Sequence, residues 1–97
     1  MLTKEKILAI LASYKQLHRH NYGIEEIGLF GSYARDEANE SSDIDVYIKM
    51  NKSNLFVLSR IRIELEETLG KHVDIVEVRN SMNNYLKKHI KQEAVSA

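Results

Sequence analysis

Between Thr3 and Leu17 the apolar residues Ile7, Ile10, Leu11, Tyr14 and Leu17 recur at helical spacing, and Thr3 stands before them as an N-cap. The spacing predicts a first helix with Gly23 as its C-terminal stop. IEEIGLFG then has the β-branched and aromatic content of a short strand ending at Gly31, and SYARDEA reads as one or two turns of helix. In SDIDVYIKM the period falls to two: Ile44, Val46 and Ile48 share one face, and Asp43, Asp45, Tyr47 and Lys49 the other. After Asn51-Lys52-Ser53 a long helix is predicted from Leu55, Leu58, Ile61, Leu65 and Leu69, closed by Gly70, with these positions facing the core. HVDIVEV is a third strand, and Ser81 caps a last helix holding Leu86, Ile90 and Ala94.

Connection lengths turn this order into a topology. About a dozen residues join the first two strands, so the end of one lies near the start of the next, most simply with the pair antiparallel. Ser32 is thereby brought close to Asp43. The second and third strands are joined through a full helix, which suits a right-handed crossover between parallel neighbours. Parallel alignment brings the starts of both strands together and sets Asp74 beside Asp45, on the face it shares with His72, Val76 and Val78. The expected fold is α/β (α+β), with the order α-β-α-β-α-β-α and a small mixed three-stranded sheet packed with helices. Residues 1–97 read as one domain, without linker, repeat or low-complexity segment.

Charge sharpens the picture. The 14 basic and 14 acidic residues cancel, so no global field draws the chain to nucleic acid or to an anionic membrane. Acidity is nonetheless concentrated: residues 23–50 carry seven acids against two bases, whereas residues 1–22 carry one acid against four bases. With no cysteine there is neither a disulfide framework nor a thiolate site, and the chain fits a reducing interior. No apolar run reaches the roughly 18–20 residues of a membrane span, and the N-terminus lacks the continuous apolar core of a signal peptide. The expected location is cytoplasmic.

Two aspartates at i and i+2 on a strand hold their side chains on one side, with Cα atoms about 6.5–7 Å apart, and a third on the neighbouring strand completes an acidic cluster. Such like charges repel and raise one another's pKa unless a cation neutralises them. Hard oxygen ligands of this kind suit Mg²⁺ or Mn²⁺, held jointly with substrate phosphates. Two such ions can stabilise the attacking and leaving oxygens of an in-line phosphoryl displacement. Gly31 leaves room for a phosphate to approach the backbone, and Ser32 adds a hydroxyl and an N–H at the start of a helix.

Gly31-Ser32, ten intervening residues, Asp43-Ile44-Asp45 and the later aspartate of His72-Val73-Asp74-Ile75-Val76 resemble the signature of the DNA polymerase beta nucleotidyltransferase superfamily. More narrowly, GSYAR followed by SSDIDVYI in so short a chain resembles the minimal nucleotidyltransferases (MNT), antitoxin partners of HEPN-domain toxins. The resemblance covers nearly the whole chain. It implies metal ligation by Asp43, Asp45 and Asp74, with Asp74 also helping to deprotonate the attacking hydroxyl. It further implies that Gly31 and Ser32 hold the nucleotide's β and γ phosphates, and that Arg35 steadies the loop or a phosphate. Two departures bear on the loop's shape: Asp36 stands where the family usually has Gly after the Arg, and the Pro often found before the Ser-Asp is absent.

The implied activity is Mg²⁺- or Mn²⁺-dependent transfer of AMP from ATP to a hydroxyl, a tyrosine of a cognate HEPN toxin, by an antitoxin that binds neither membrane nor nucleic acid. The alternative is an antitoxin that neutralises its partner by binding alone, which has no need of three mutually repelling carboxylates. A free-standing enzyme acting on a small molecule would want a second domain to shape its acceptor pocket. Other polar residues have blander readings. His18 and His20, at i and i+2 on a helix, do not face each other and read as solvated. His72 reads as surface or as a phosphate contact. Lys87, Lys88 and Lys91 suit a helix C-terminus.

Overall fold

The computed structural model describes residues 2–79, 88, 90 and 92–97. The element order is α1 (Lys4–His18), β1 (Ile24–Phe30), α2 (Gly31–Ala34), β2 (Ile44–Met50), α3 (Leu55–Leu69), β3 (Val73–Glu77) and β4 (Val95–Ser96). Both long helices start where a side-chain oxygen caps free backbone amides. Thr3 accepts from the Lys6 N–H at 3.2 Å, and Asn54 accepts from Phe56 and Val57 at 2.9 and 3.2 Å. Gly70, at φ +69°, closes α3 in the left-handed conformation and donates its N–H back to the Glu66 carbonyl. Gly23 is not the stop of α1. That helix ends at His18, and Gly23 takes positive φ four residues beyond its Arg19 cap, just before β1.

The sheet runs in the order β3-β2-β1-β4. β1 and β2 are antiparallel and β2 and β3 parallel, the arrangement expected from the connection lengths. Among the described residues the sheet is four-stranded, one more than the three expected, because Val95 and Ser96 pair antiparallel with Leu29 and Gly28. A two-residue strand has no alternation to betray it. The expected last helix from Ser81 through Leu86 lies outside the described residues. Within the described ones, Lys88, Ile90, Gln92 and Glu93 are helical, and Ile90 is buried.

Ile44, Val46 and Ile48 of β2 turn inward and are fully buried, with Ile27 and Leu29 of β1 and Val73 of β3 in the same core. Ile7 and Leu11 of α1 and Ile61, Leu65 and Leu69 of α3 cover that face. The helical period overreaches at its ends. Leu17 is 75% exposed and Leu55 70% exposed, so neither is core, because each lies in a terminal turn beyond the edge of the packed layer.

Across the seam between the helices, Glu64 of α3 accepts hydrogen bonds from Tyr14 at 2.6 Å and from Tyr22 at 3.2 and 3.3 Å. His18 is not simply solvated. Its ring lies 4.5 Å from the rings of both Tyr14 and Tyr22, stacked on the latter, and its Nδ1 is 3.2 Å from Asn21 Oδ1.

Candidate active site

The opposite face of β2 carries Asp45, Tyr47 and Lys49, and its two ends differ. Towards the end of the strand Tyr47 is covered: it is 6% exposed and donates to Glu26 at 2.9 Å. Gly28 makes this possible, since a Cβ there would strike the Tyr47 ring and the Val95 carbonyl. At the start of the strand lie the carboxylates. Asp43 immediately precedes β2, Asp45 is its second residue, and the parallel ladder sets Asp45 opposite Asp74.

Gly31 completes the arrangement. Antiparallel pairing puts Phe30 opposite Asp45, so the chain leaves β1 directly beneath that carboxylate. A Cβ on Gly31 would collide with Asp45 Oδ2, and its φ of +74° disfavours any side chain. Ser32, half-buried, follows in the four-residue α2. Asp43 and Asp74 thus lie close together, Asp45 stands opposite Asp74 and against Gly31, and Ser32 is the next residue of the chain.

Arg35 and Asp36 come next. Arg35 is paired with Glu37 at 3.1 Å and, across the fold, with Glu93 at 3.0 Å. Asp36 adopts φ +58°, the left-handed conformation that a glycine would take there, and receives Lys4 Nζ at 3.5 Å. Aspartate tolerates this region better than most residues, so the substitution leaves the turn intact.

Electrostatics follow from the crowding. Asp45 is partly buried, and its pKa is raised by desolvation first and then by the charges of Asp74 and Asp43, with Arg35 opposing them. Glu66 is held below the usual carboxylate range chiefly by the Val73 N–H, which it accepts at 3.0 Å.

His72 has a more definite setting than its sequence position suggested. Its Nδ1 is 3.0 Å from Glu66 Oε2 and its Nε2 3.0 Å from Asp74 Oδ1. One donor atom each from Asp43, His72 and Asp74 lie within 4.8 Å of one another. The oxygen-rich donor set suits a hard divalent cation, and the mutual pressure on Asp45 is what such a charge would relieve. Only its place two residues before Asp74, on the same strand face, could have flagged His72 in the sequence.

With this geometry in view, residues 7–97 match the family model described as the nucleotidyltransferase domain. The chain belongs to that family. Among similar proteins, the protein adenylyltransferase MntA of Thermococcus cleftensis is 38% identical over 96 residues, which span 98% of this chain and 96% of its own. A solved structure described as a candidate minimal nucleotidyltransferase superposes with a TM-score of 0.80 at 29% identity, covering 97% of this nucleotidyltransferase and 95% of that chain. The fold recurs, at a TM-score of 0.72 and 18% identity, in a complex of a tri-AMPylated Shewanella oneidensis HEPN toxin with MNT antitoxin. That match covers 97% of this chain and 71% of the other. No helix among the described residues is long and apolar enough to cross a membrane.

Proposed function

We propose that this nucleotidyltransferase transfers AMP from ATP to a tyrosine hydroxyl of a cognate HEPN-domain toxin and thereby acts as its antitoxin. The observation that carries the reading is the crowding of Asp43, Asp45 and Asp74, with Asp45 set against the side-chain-free Gly31. A partly buried aspartate whose charge is opposed by two neighbouring carboxylates has no structural purpose in a pure binding module. The relative named as a protein adenylyltransferase supports the reaction class, and the AMPylated HEPN complex of the same fold supports the acceptor.

In the reaction, the tyrosine oxygen attacks the α-phosphorus, a new P–O bond forms, the bond to the β-phosphate breaks, and pyrophosphate leaves. Asp74 takes the acceptor's proton. Gly31 and Ser32 receive the β and γ phosphates where no Cβ blocks the approach to the backbone. Asp43, Asp45 and Asp74 would hold Mg²⁺ or Mn²⁺, whose charge favours both the ionised acceptor and the departing pyrophosphate. Asp45, desolvated and crowded, favours occupation by a cation over exposure to water.

The alternative, neutralisation by binding alone, draws on one observation. Arg35, the family's loop arginine, is paired with Glu37 and Glu93.

Intact-mass spectrometry decides between the two. The HEPN-domain partner, incubated with this protein and Mg-ATP, should gain one or more AMP units on a tyrosine, and the Asp43→Asn/Asp45→Asn variant should add none. Neutralisation by that variant, equal to wild type and without any mass gain, would establish the binding reading instead.

A further inference from the structure

His72 is aimed at the carboxylates and held there from behind. Glu66 is fixed at the junction of α3 and β3: it accepts the Val73 N–H at 3.0 Å and lies 3.4 and 3.5 Å from Arg62 Nη1, while the carbonyl of the same residue receives Gly70. From that position its Oε2 meets His72 Nδ1 at 3.0 Å. On its other side His72 Nε2 lies 3.0 Å from Asp74 Oδ1, and one donor atom each from Asp43, His72 and Asp74 lie within 4.8 Å of one another. Adjacent ligands in an octahedral shell with bonds of about 2.1 Å are about 3.0 Å apart, so the observed spacing is that of one edge of such a shell. A carboxylate behind a histidine, with the far nitrogen facing a metal, is also the usual way in which an imidazole ligand is oriented.

We infer that His72 is a metal ligand of this site: its Nε2 joins Asp43 and Asp74 around one divalent cation, with Glu66 as the positioning residue that orients its ring. The inference rests on the proposed metal site and adds a nitrogen to its donors. A nitrogen donor moves preference from Mg²⁺, which favours oxygen and water, towards Mn²⁺ and other transition ions.

The test uses the full chain and Mn²⁺, alone and with inorganic triphosphate, which contains no nitrogen. Electron spin-echo envelope modulation of bound Mn²⁺ should show coupling to one directly bound ¹⁴N. In His72→Gln that coupling should vanish and Mn²⁺ affinity, measured by calorimetry, should fall about tenfold or more, whereas Mg²⁺ affinity changes less. Glu66→Gln should keep the coupling and weaken Mn²⁺ binding about tenfold, within the range seen for outer-shell partners of metal-bound histidines. Because His72 is exposed, its replacement leaves the core untouched. Bound Mn²⁺ without ¹⁴N coupling, or an unchanged Mn²⁺-to-Mg²⁺ ratio in His72→Gln, overturns the inference while leaving metal-dependent transfer standing. Failure of the wild type to bind either ion overturns both.

Discussion

Asp45 and Glu64 are carboxylates on opposite sides of one sheet, and their surroundings displace them in opposite directions. Glu64, at the seam of α1 and α3, accepts from two tyrosine hydroxyls, and the Tyr14 hydrogen bond is the largest cause holding its pKa below the ordinary value. Asp45 is desolvated and faces Asp74 and Asp43, and its pKa is raised. The first carboxylate is satisfied by donors in its own chain and serves to join two helices. The second has no hydrogen-bond donor among the described residues, and that deficit makes it a candidate for chemistry with a partner from outside.

The sharpest way to break the comparison is to neutralise the crowded side. Asp43→Asn/Asp45→Asn should lower AMP transfer by about three orders of magnitude, equivalent to about 4 kcal/mol of barrier. The same change should not destabilise the fold. A group whose folded pKa is raised is favourable to folding while protonated and loses that advantage as pH rises through its folded pKa, so at pH 7 charged Asp45 is a net cost. Solvent screening keeps the cost small, and Asp45→Asn alone should raise the melting temperature by about 1–3 °C in metal-free buffer. Saturating Mg²⁺ should shrink or reverse the difference, since the ion stabilises only the wild type. Activity and calorimetric melting on the same samples check both halves, and a variant melting below wild type in metal-free buffer contradicts the account of Asp45.

On the covered side the order of effects reverses. Ile61 is fully buried between α3 and the sheet, so Ile61→Ala should cost about 2–5 kcal/mol by chemical denaturation. Transfer per folded molecule should stay within a factor of about two, because no site residue rests on it directly.

How much of this contrast was legible in the sequence depended on whether each feature has a period. Ile44, Val46 and Ile48 alternate with Asp43 and Asp45, so the core face and the charged face could be inferred, and the helix joining the second and third strands gave the parallel pairing with Asp74. β4 could not, because Val95-Ser96 gains its strand character only by meeting Gly28 and Leu29. Leu17 and Leu55 satisfy helical spacing yet stay exposed, since periodicity assigns a face but not where the opposing layer ends. Asp36 signalled a departure in the loop without its consequence, which is a backbone held at φ +58°. The role of His72 depends on Glu66, six residues earlier and on another element, a coincidence that folding alone creates.

Gly31→Ala probes the boundary between the two environments. The added methyl meets the Asp45 carboxylate, and the positive φ strains the backbone, together costing about 1–3 kcal/mol of stability. A displaced Asp45 should also cut transfer about a hundredfold, the usual consequence of misplacing a catalytic group by about 1 Å. Loss of transfer without loss of stability would mean that the backbone yields more readily than the site.

The smallest effect belongs to the satisfied carboxylate, and its pH dependence distinguishes the two sides best. Glu64→Gln keeps the side chain's size but exchanges charge-assisted hydrogen bonds from Tyr14 and Tyr22 for neutral ones, which should cost about 1 kcal/mol at pH 7. The folded pKa of Glu64 is depressed below 4.5, so its contribution is fully present above that pH and disappears as pH falls through the folded value. Wild type and Glu64→Gln should therefore converge in stability as pH falls through that folded value. Asp45→Asn should behave oppositely: its advantage over wild type, present at pH 7, fades as acid protonates Asp45 and removes the repulsion from Asp43 and Asp74. Urea denaturation of the three proteins from pH 3 to pH 7 would show one difference closing from below wild type and the other from above. Two differences of the same sign would mean that hydrogen bonding and like-charge crowding do not separate the two carboxylates.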